Sequence, residues 1–316
     1  MGEDFFVKIN IDGIKALGEV LEEGINYEKL KRLVKTKSIS KFIDHERALD
    51  RKIDKYILVE EIIKLKIHKD YKDKFYLYIL RENLSRLNEE LENITLKEEK
   101  IINEALSKVY KILPEYINIC PKIYLYGGGT DGGFSLYGKE IYINYIKYLG
   151  NIEEFIKVIS HELFHCRSIP LKNKLRNYFQ LNLRERYLYE VLGKIFEEGI
   201  ALLIQHGNVL RKDDPVGSIT REKLSLVDLE FKKLNTLLAE IKDEDIEYIN
   251  IKTIDYYTLG YYMVTFLYGY YNREILLPWM LDLDYKPLIK SFILGNREKE
   301  NCIRFSKDIE IWLMNL

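Results

Sequence analysis

Only one stretch of this chain has the texture of β-structure, and that fact narrows the fold more than any other. In residues 122–126 and 140–145, apolar, β-branched and aromatic side chains form two short runs around the glycine-rich segment 127–133. They read as two strands joined by a loop. In the second, Ile141 and Ile143 alternate with Tyr142 and Asn144, as expected of a strand with one wetter face. The rest of the chain is helical in pattern, so the expected class is mainly α with a small β-sheet, α+β.

Residues 12–113 repeat Ile, Leu, Lys and Glu at helical spacing with few interior Gly or Pro, which predicts a set of packed helices. Thr95 followed by Glu98 reads as a capping box opening a helix that runs to Pro114. Gly150 breaks the chain, and Asn151 with Glu154 opens another helix. Further helices are expected over residues 182–206, 220–243 and 253–271, then a helical remainder interrupted at Pro278, Pro287 and Gly295. The organisation expected is a helical region over 1–115 and a second region over 116–316, or one continuous unit.

The charge is balanced, 49 basic against 50 acidic residues, which leaves no global electrostatic footprint for nucleic acid or an anionic membrane. No run reaches the ~18 apolar residues needed to span a bilayer. The tyrosine-crowded run 259–271 reads as a buried helix. Residues 1–7 do not have the pattern of a secretory signal. The three cysteines, Cys120, Cys166 and Cys302, suit a reducing cytoplasm, and Cys166 reads as a small buried apolar residue. Residues 127–133 lack the Gly-Lys-Ser/Thr ending that grips phosphate, so nucleotide binding is not expected.

The helix opened by Asn151 contains His161-Glu162-Leu163-Phe164-His165. Residues four apart lie on one helix face about 6 Å apart, so both imidazoles can address a single metal ion. Glu162 is turned roughly 100° from His161, beside such an ion without replacing a ligand, where it can act as general base. Zinc suits an imidazole and carboxylate set, and an open fourth position would hold the attacking water. One Zn2+ is therefore expected. A buried, purely structural histidine pair is the alternative, since Val158, Ile159, Leu163 and Phe164 mark this helix as a core element.

The segment from Val158 to His165, preceded by a strand, resembles the active-site helix of the zincin metallopeptidases, although Arg167 stands where an apolar residue is commoner. In the gluzincin branch the third ligand is a glutamate on a later helix, often within Glu-Gly-x-Ala. Glu197-Glu198-Gly199-Ile200-Ala201 resembles that motif and implies Glu198. Helical periodicity alone leaves Glu197 and Glu198 flanking the apolar face about equally. The small Gly199 and Ala201, which allow close helix approach, favour Glu198. The resemblance covers residues 122–206, with a spacer between His165 and Glu198 longer than in the best-known gluzincins. It also resembles compact bacterial zinc-dependent peptidases whose substrates are unknown.

Gluzincins add a Tyr or His that stabilises the oxyanion, and Tyr257, three before Gly260, is the candidate here. His206 is expected to have a core or helix-terminal role, and His45 and His68 none. The expected activity is peptide hydrolysis on an extended peptide or protein substrate, docked as an added strand along residues 140–145 if these form an exposed edge. Two other classes stay open: a zincin fold with a non-peptide substrate or a binding-only role, and a helical interaction protein whose motif is coincidental.

Overall fold

The change of texture at residue 122 does mark the sheet, but the sheet draws on more of the chain than its two obvious runs. The computed structural model describes residues 7–173, 175, 181–243, 251–298 and 303–316; Cys302 and residues 1–6 lie outside them. Four strands pair in the order β1-β2-β4-β3: β1 (Lys8–Asn10), β2 (Lys122–Tyr126), β3 (Gly133–Leu136) and β4 (Glu140–Asn144). β1, β2 and β4 run parallel, whereas β3 returns antiparallel along β4.

Two expectations change as a result. The run 140–145 is not an edge: β4 is paired on both sides, and the edge strand beside it is β3, within what reads as loop because it starts on glycine. Nor does β4 have a wet face, since Tyr142 and Asn144 are fully buried. Asn144 is polar for another reason. Its amide donates to the carbonyls of Gly128 (2.8 Å) and Asp131 (2.9 Å) and accepts from Gly128 N (3.2 Å), so it holds the glycine-rich loop instead of meeting water.

The chain forms two compact units, residues 1–109 with 118–167, and 110–117 with 168–316. In the first, the helices are α1 (Asp12–Glu22), α2 (Tyr27–Leu33), α3 (Lys37–Ala48), α4 (Lys55–Ile67), α5 (Tyr78–Glu82), α6 (Leu84–Leu96), α7 (Glu98–Tyr110) and α8 (Ile152–His165). α1 and α3 pack on β2, while α8 packs on β3 and β4. Across the α3 side, near-parallel rings run from His45 over Phe134 and Tyr142 to Tyr124, with Lys37 over the last ring. Both ends of this stack come from α3, which ties three strands to one helix.

Thr95 does not open a helix. It lies in the last turn of α6 with Oγ1 donating to Leu91 O (2.9 Å), the back-bonding that competes with capping, and α7 begins at Glu98. Asn151 does cap α8, its side chain accepting from Glu154 N (3.3 Å). The hairpin between β3 and β4 turns on Tyr137 (φ 54°) and Gly138 (φ 64°), closed by Lys139 N to Leu136 O at 3.0 Å. Tyr137 is 93% exposed, so its side chain offsets little of the cost of a left-handed backbone. Tyr137→Asn is expected to raise unfolding free energy by about 0.5–1 kcal/mol. Urea denaturation checks this, and a fall in the midpoint would mean that the tyrosine ring stabilises the tip.

The second unit contains α9 (Leu183–His206), α10 (Arg221–Ser225), α11 (Val227–Lys242), α12 (Tyr256–Tyr271), α13 (Leu277–Asp282), α14 (Lys286–Arg297) and α15 (Lys307–Met314). Asn182 and Glu185 form a full capping box at α9. The run 220–243 is two helices with a break at Leu226, and Thr253 precedes the helix proper, whose cap is Asp255. Pro278 and Pro287 open α13 and α14 from within their first turns instead of interrupting helices, because proline lacks only an N–H that is orphaned there anyway. Gly295 lies inside α14. The run 259–271 falls within α12, and among the described residues no helix is long and apolar enough to cross a membrane.

Candidate metal centre

α8 is amphipathic in an unusual sense: its buried face holds polar groups as well as aliphatic ones. Phe155, Ile159, Leu163 and Phe164 are fully buried, and His161 and Glu162, each 7% exposed, are buried among them. The rings of His161 and His165 lie 5.0 Å apart at 70°, and their ligand nitrogens are within 4.8 Å of one another, near enough to address one ion. Two imidazoles on one helix face, one buried and one half-buried, need polar company, and a shared cation is the chemistry that suits both, with the buried Glu162 carboxyl beside that face.

Glu162 lies against the edge strand. A β-carbon placed on Gly133, the first residue of β3, would be 3.5 Å from Glu162 Oε1 and 2.9 Å from Tyr142 O. Glycine is required there, and it lets the carboxylate sit directly beside the strand backbone. Tyr126 on β2 is fully buried, and burial, reinforced by the charges of Asp131, Glu46 and Glu162, pushes its hydroxyl well above the ordinary phenol range. It remains a neutral phenol at working pH.

The end of α8 accounts for two further residues. Burial, then the nearby Glu162 charge, pushes the Cys166 thiol up to about 12, which fits a buried apolar role. Arg167 is 3% exposed; its guanidinium lies 4.0 Å from the centre of the Phe164 ring and donates to Phe164 O (3.1 Å). A cation is tolerated after the motif because it folds back onto the helix end, where it complements the carbonyl dipoles.

In the second unit Glu197 and Glu198 are both half-buried on α9, and their surroundings differ. Trp279 Nε1 donates to Glu197 Oε2 (2.8 Å), giving Glu197 a structural partner. Gly199 has a different use from the one its sequence context suggests. A β-carbon there would be 2.3 Å from Gly260 O, so its bare backbone serves the crossing of α9 with α12. Tyr257 is in the first turn of α12, packed on a buried cluster of Leu202, Ile219 and Tyr261. His206 ends α9, with Nε2 3.4 Å from Oδ2 of buried Asp214.

Residues 30–291 match the family model described as "Putative zinc dependent peptidase (DUF5700)". The chain belongs to this family. No curated protein and no solved structure matches it. The family's description and the donor chemistry of α8 point to the same ion.

One residue of the first unit has no signal in the sequence. His45 lies on α3, 86 positions before Asp131, yet its Nε2 is 2.9 Å from Asp131 Oδ2. Arg51 donates to Asp131 (3.2 Å) and Glu46 (2.7 Å). The His45 hydrogen bond, opposed by burial and aided by Arg51, holds the Asp131 carboxyl at about 2. His45, Glu46 and Asp131 are close enough to suggest a second metal cluster. The Arg51 guanidinium already spans both carboxylates, which makes the group an ion-pair network.

Proposed function

We propose that this protein is a gluzincin-type zinc peptidase in which His161, His165 and Glu198 hold the ion and Glu162 is the general base. The observation that carries the reading is Glu162 itself, a buried carboxylate one residue from a paired-imidazole face and directly beside an edge strand. Zinc in such a site supplies Lewis-acid polarisation of the scissile carbonyl and lowers the pKa of water toward ~7.

The remaining steps belong to the protein. An extended peptide adds to the free side of β3, antiparallel β4 having taken the other, and its backbone is aligned past Gly133. Glu162 Oε1, next to Gly133, accepts the proton of the attacking water and returns it to the departing amine. Glu162 is itself buried, and the fully buried, neutral Tyr126 is within its electrostatic reach, so the carboxylate sits in a poorly hydrated setting that strengthens its charge interactions.

Two arguments favour Glu198 over Glu197: the likeness to Glu-Gly-x-Ala, and the Trp279 hydrogen bond that engages Glu197 in packing. Tyr257 is retained as the oxyanion donor, since it lies one turn from Gly260, where α12 crosses α9 next to Glu198. A cytoplasmic setting fits the free cysteines Cys120 and Cys166.

Metal analysis tests the ligand set. The parent is expected to hold about one zinc per chain, the double change His161→Ala with His165→Ala none, and Glu198→Ala to bind it at least about 10–100-fold more weakly, the loss already typical of a residue that only orients a ligand. Glu197→Gln is expected to keep zinc. Zinc lost from Glu197→Gln and kept by Glu198→Ala would exchange the two assignments, and zinc kept by the double change would end the proposal.

A further inference from the structure

Two glycines, Gly132 and the first strand residue Gly133, lead into the edge strand, a permissive backbone at the place where the position of the strand matters most to Glu162. On one side of the pair stands Asp131 and on the other Phe134. A single imidazole holds both. His45 Nε2 is 2.9 Å from Asp131 Oδ2, and the same ring stacks on Phe134 with centroids 4.0 Å apart and planes 8° apart. Arg51 secures Asp131 from α3's far end and is itself tied to Glu46 on that helix. Asn144 holds the Asp131 carbonyl and donates its own backbone N–H to Gly132 O (2.9 Å).

We propose that His45 is a positioning residue: by gripping Asp131 and Phe134 it fixes Gly132–Gly133, and so sets the peptide-docking edge of β3 against the Glu162 carboxylate. The inference rests on the peptidase reading for its kinetic consequence, although the grip itself does not depend on zinc. Losing both the hydrogen bond to a carboxylate and the parallel ring pair should let the strand open locally about tenfold or more often. The effect is confined to β3 because β4 keeps its pairing with β2.

The test is His45→Ala in the full-length zinc-loaded protein, with His45→Phe, which keeps a stacking ring, and His45→Gln, which keeps a polar group for Asp131. In hydrogen exchange, amides 132–136 of His45→Ala are expected to exchange about tenfold faster, while those of β2 and α8 and the zinc content stay at parental values. KM for an extended peptide is expected to rise about tenfold with a smaller change in kcat, and His45→Phe and His45→Gln to recover part of both effects. Parental exchange rates at 132–136 in His45→Ala would overturn the proposal, as would faster exchange with unchanged KM. If His45→Ala unfolds globally, the same readouts on His45→Phe and His45→Gln decide. A parent that neither holds zinc nor cleaves peptides ends the peptidase reading and takes the positioning role with it. The exchange data still tell the two failures apart.

Discussion

Glu162→Gln is expected to leave zinc at about one equivalent and to lower hydrolysis of a mixed peptide library by about 10²–10⁴-fold, the usual contribution of a general base. The substitution preserves volume and reach, so the contact with Gly133 and the packing of α8 survive, whereas the amide cannot take a proton. Because Glu162 lies around the helix from the two imidazoles and is not proposed as a ligand, metal content and turnover should separate. The same variant discriminates the three classes left open by the sequence. A peptidase loses turnover only, a zincin fold with a binding role has none to lose, and a coincidental motif holds no zinc in either protein. Parental turnover in Glu162→Gln would refute the mechanism while leaving the metal site standing.

Gly260→Ala is expected to destabilise the protein by about 1–3 kcal/mol or more and Gly269→Ala, on the same helix, to stabilise it by about 0.5–1 kcal/mol. A β-carbon on Gly260 would lie 2.3 Å from Ile195 O and 2.8 Å from Gly199 N, both backbone atoms of α9 that no rotamer change can move aside. The two helices must part. At Gly269 nothing lies within 4 Å, so alanine brings only its better helix propensity. Thermal unfolding of both variants checks the sign of each change. Because Glu198 precedes Gly199, Gly260→Ala should also loosen zinc in the proposed ligand set, and equal melting temperatures in the two variants would sink the close-crossing argument.

The helices of both units could be read from apolar spacing, and the pentapeptide could be read from its spacing of four, because both signals are local. What escaped was non-local. β1 is three residues long and shows no period; it becomes a strand only because Lys122–Tyr126 lies alongside it. β3 starts on Gly133, a poor strand former that is there to let Glu162 approach, so its function hides its structure. Asn144 looked solvent-facing because its partner is a loop backbone, and His45 looked idle because its partners are 86 and 89 residues away. Thr95 met the capping pattern but bonds backward to Leu91. The family match over residues 30–291 supports the coarse zinc-peptidase assignment.

The parallel pairing of β1 with β2 also has a kinetic side. Lys8 sits opposite Lys122, with seven helices strung between them, so this contact closes one of the longest loops in the first unit. Loop closure grows only logarithmically more costly with length, but pairings this distant form late and slow the search. During synthesis the amino-terminal strand must wait for its neighbour until the ribosome has passed residue 126, while α1 to α7 can already pack. Until then the backbone of β1 has no partner, and that interval is when the young chain is most exposed to wrong partners.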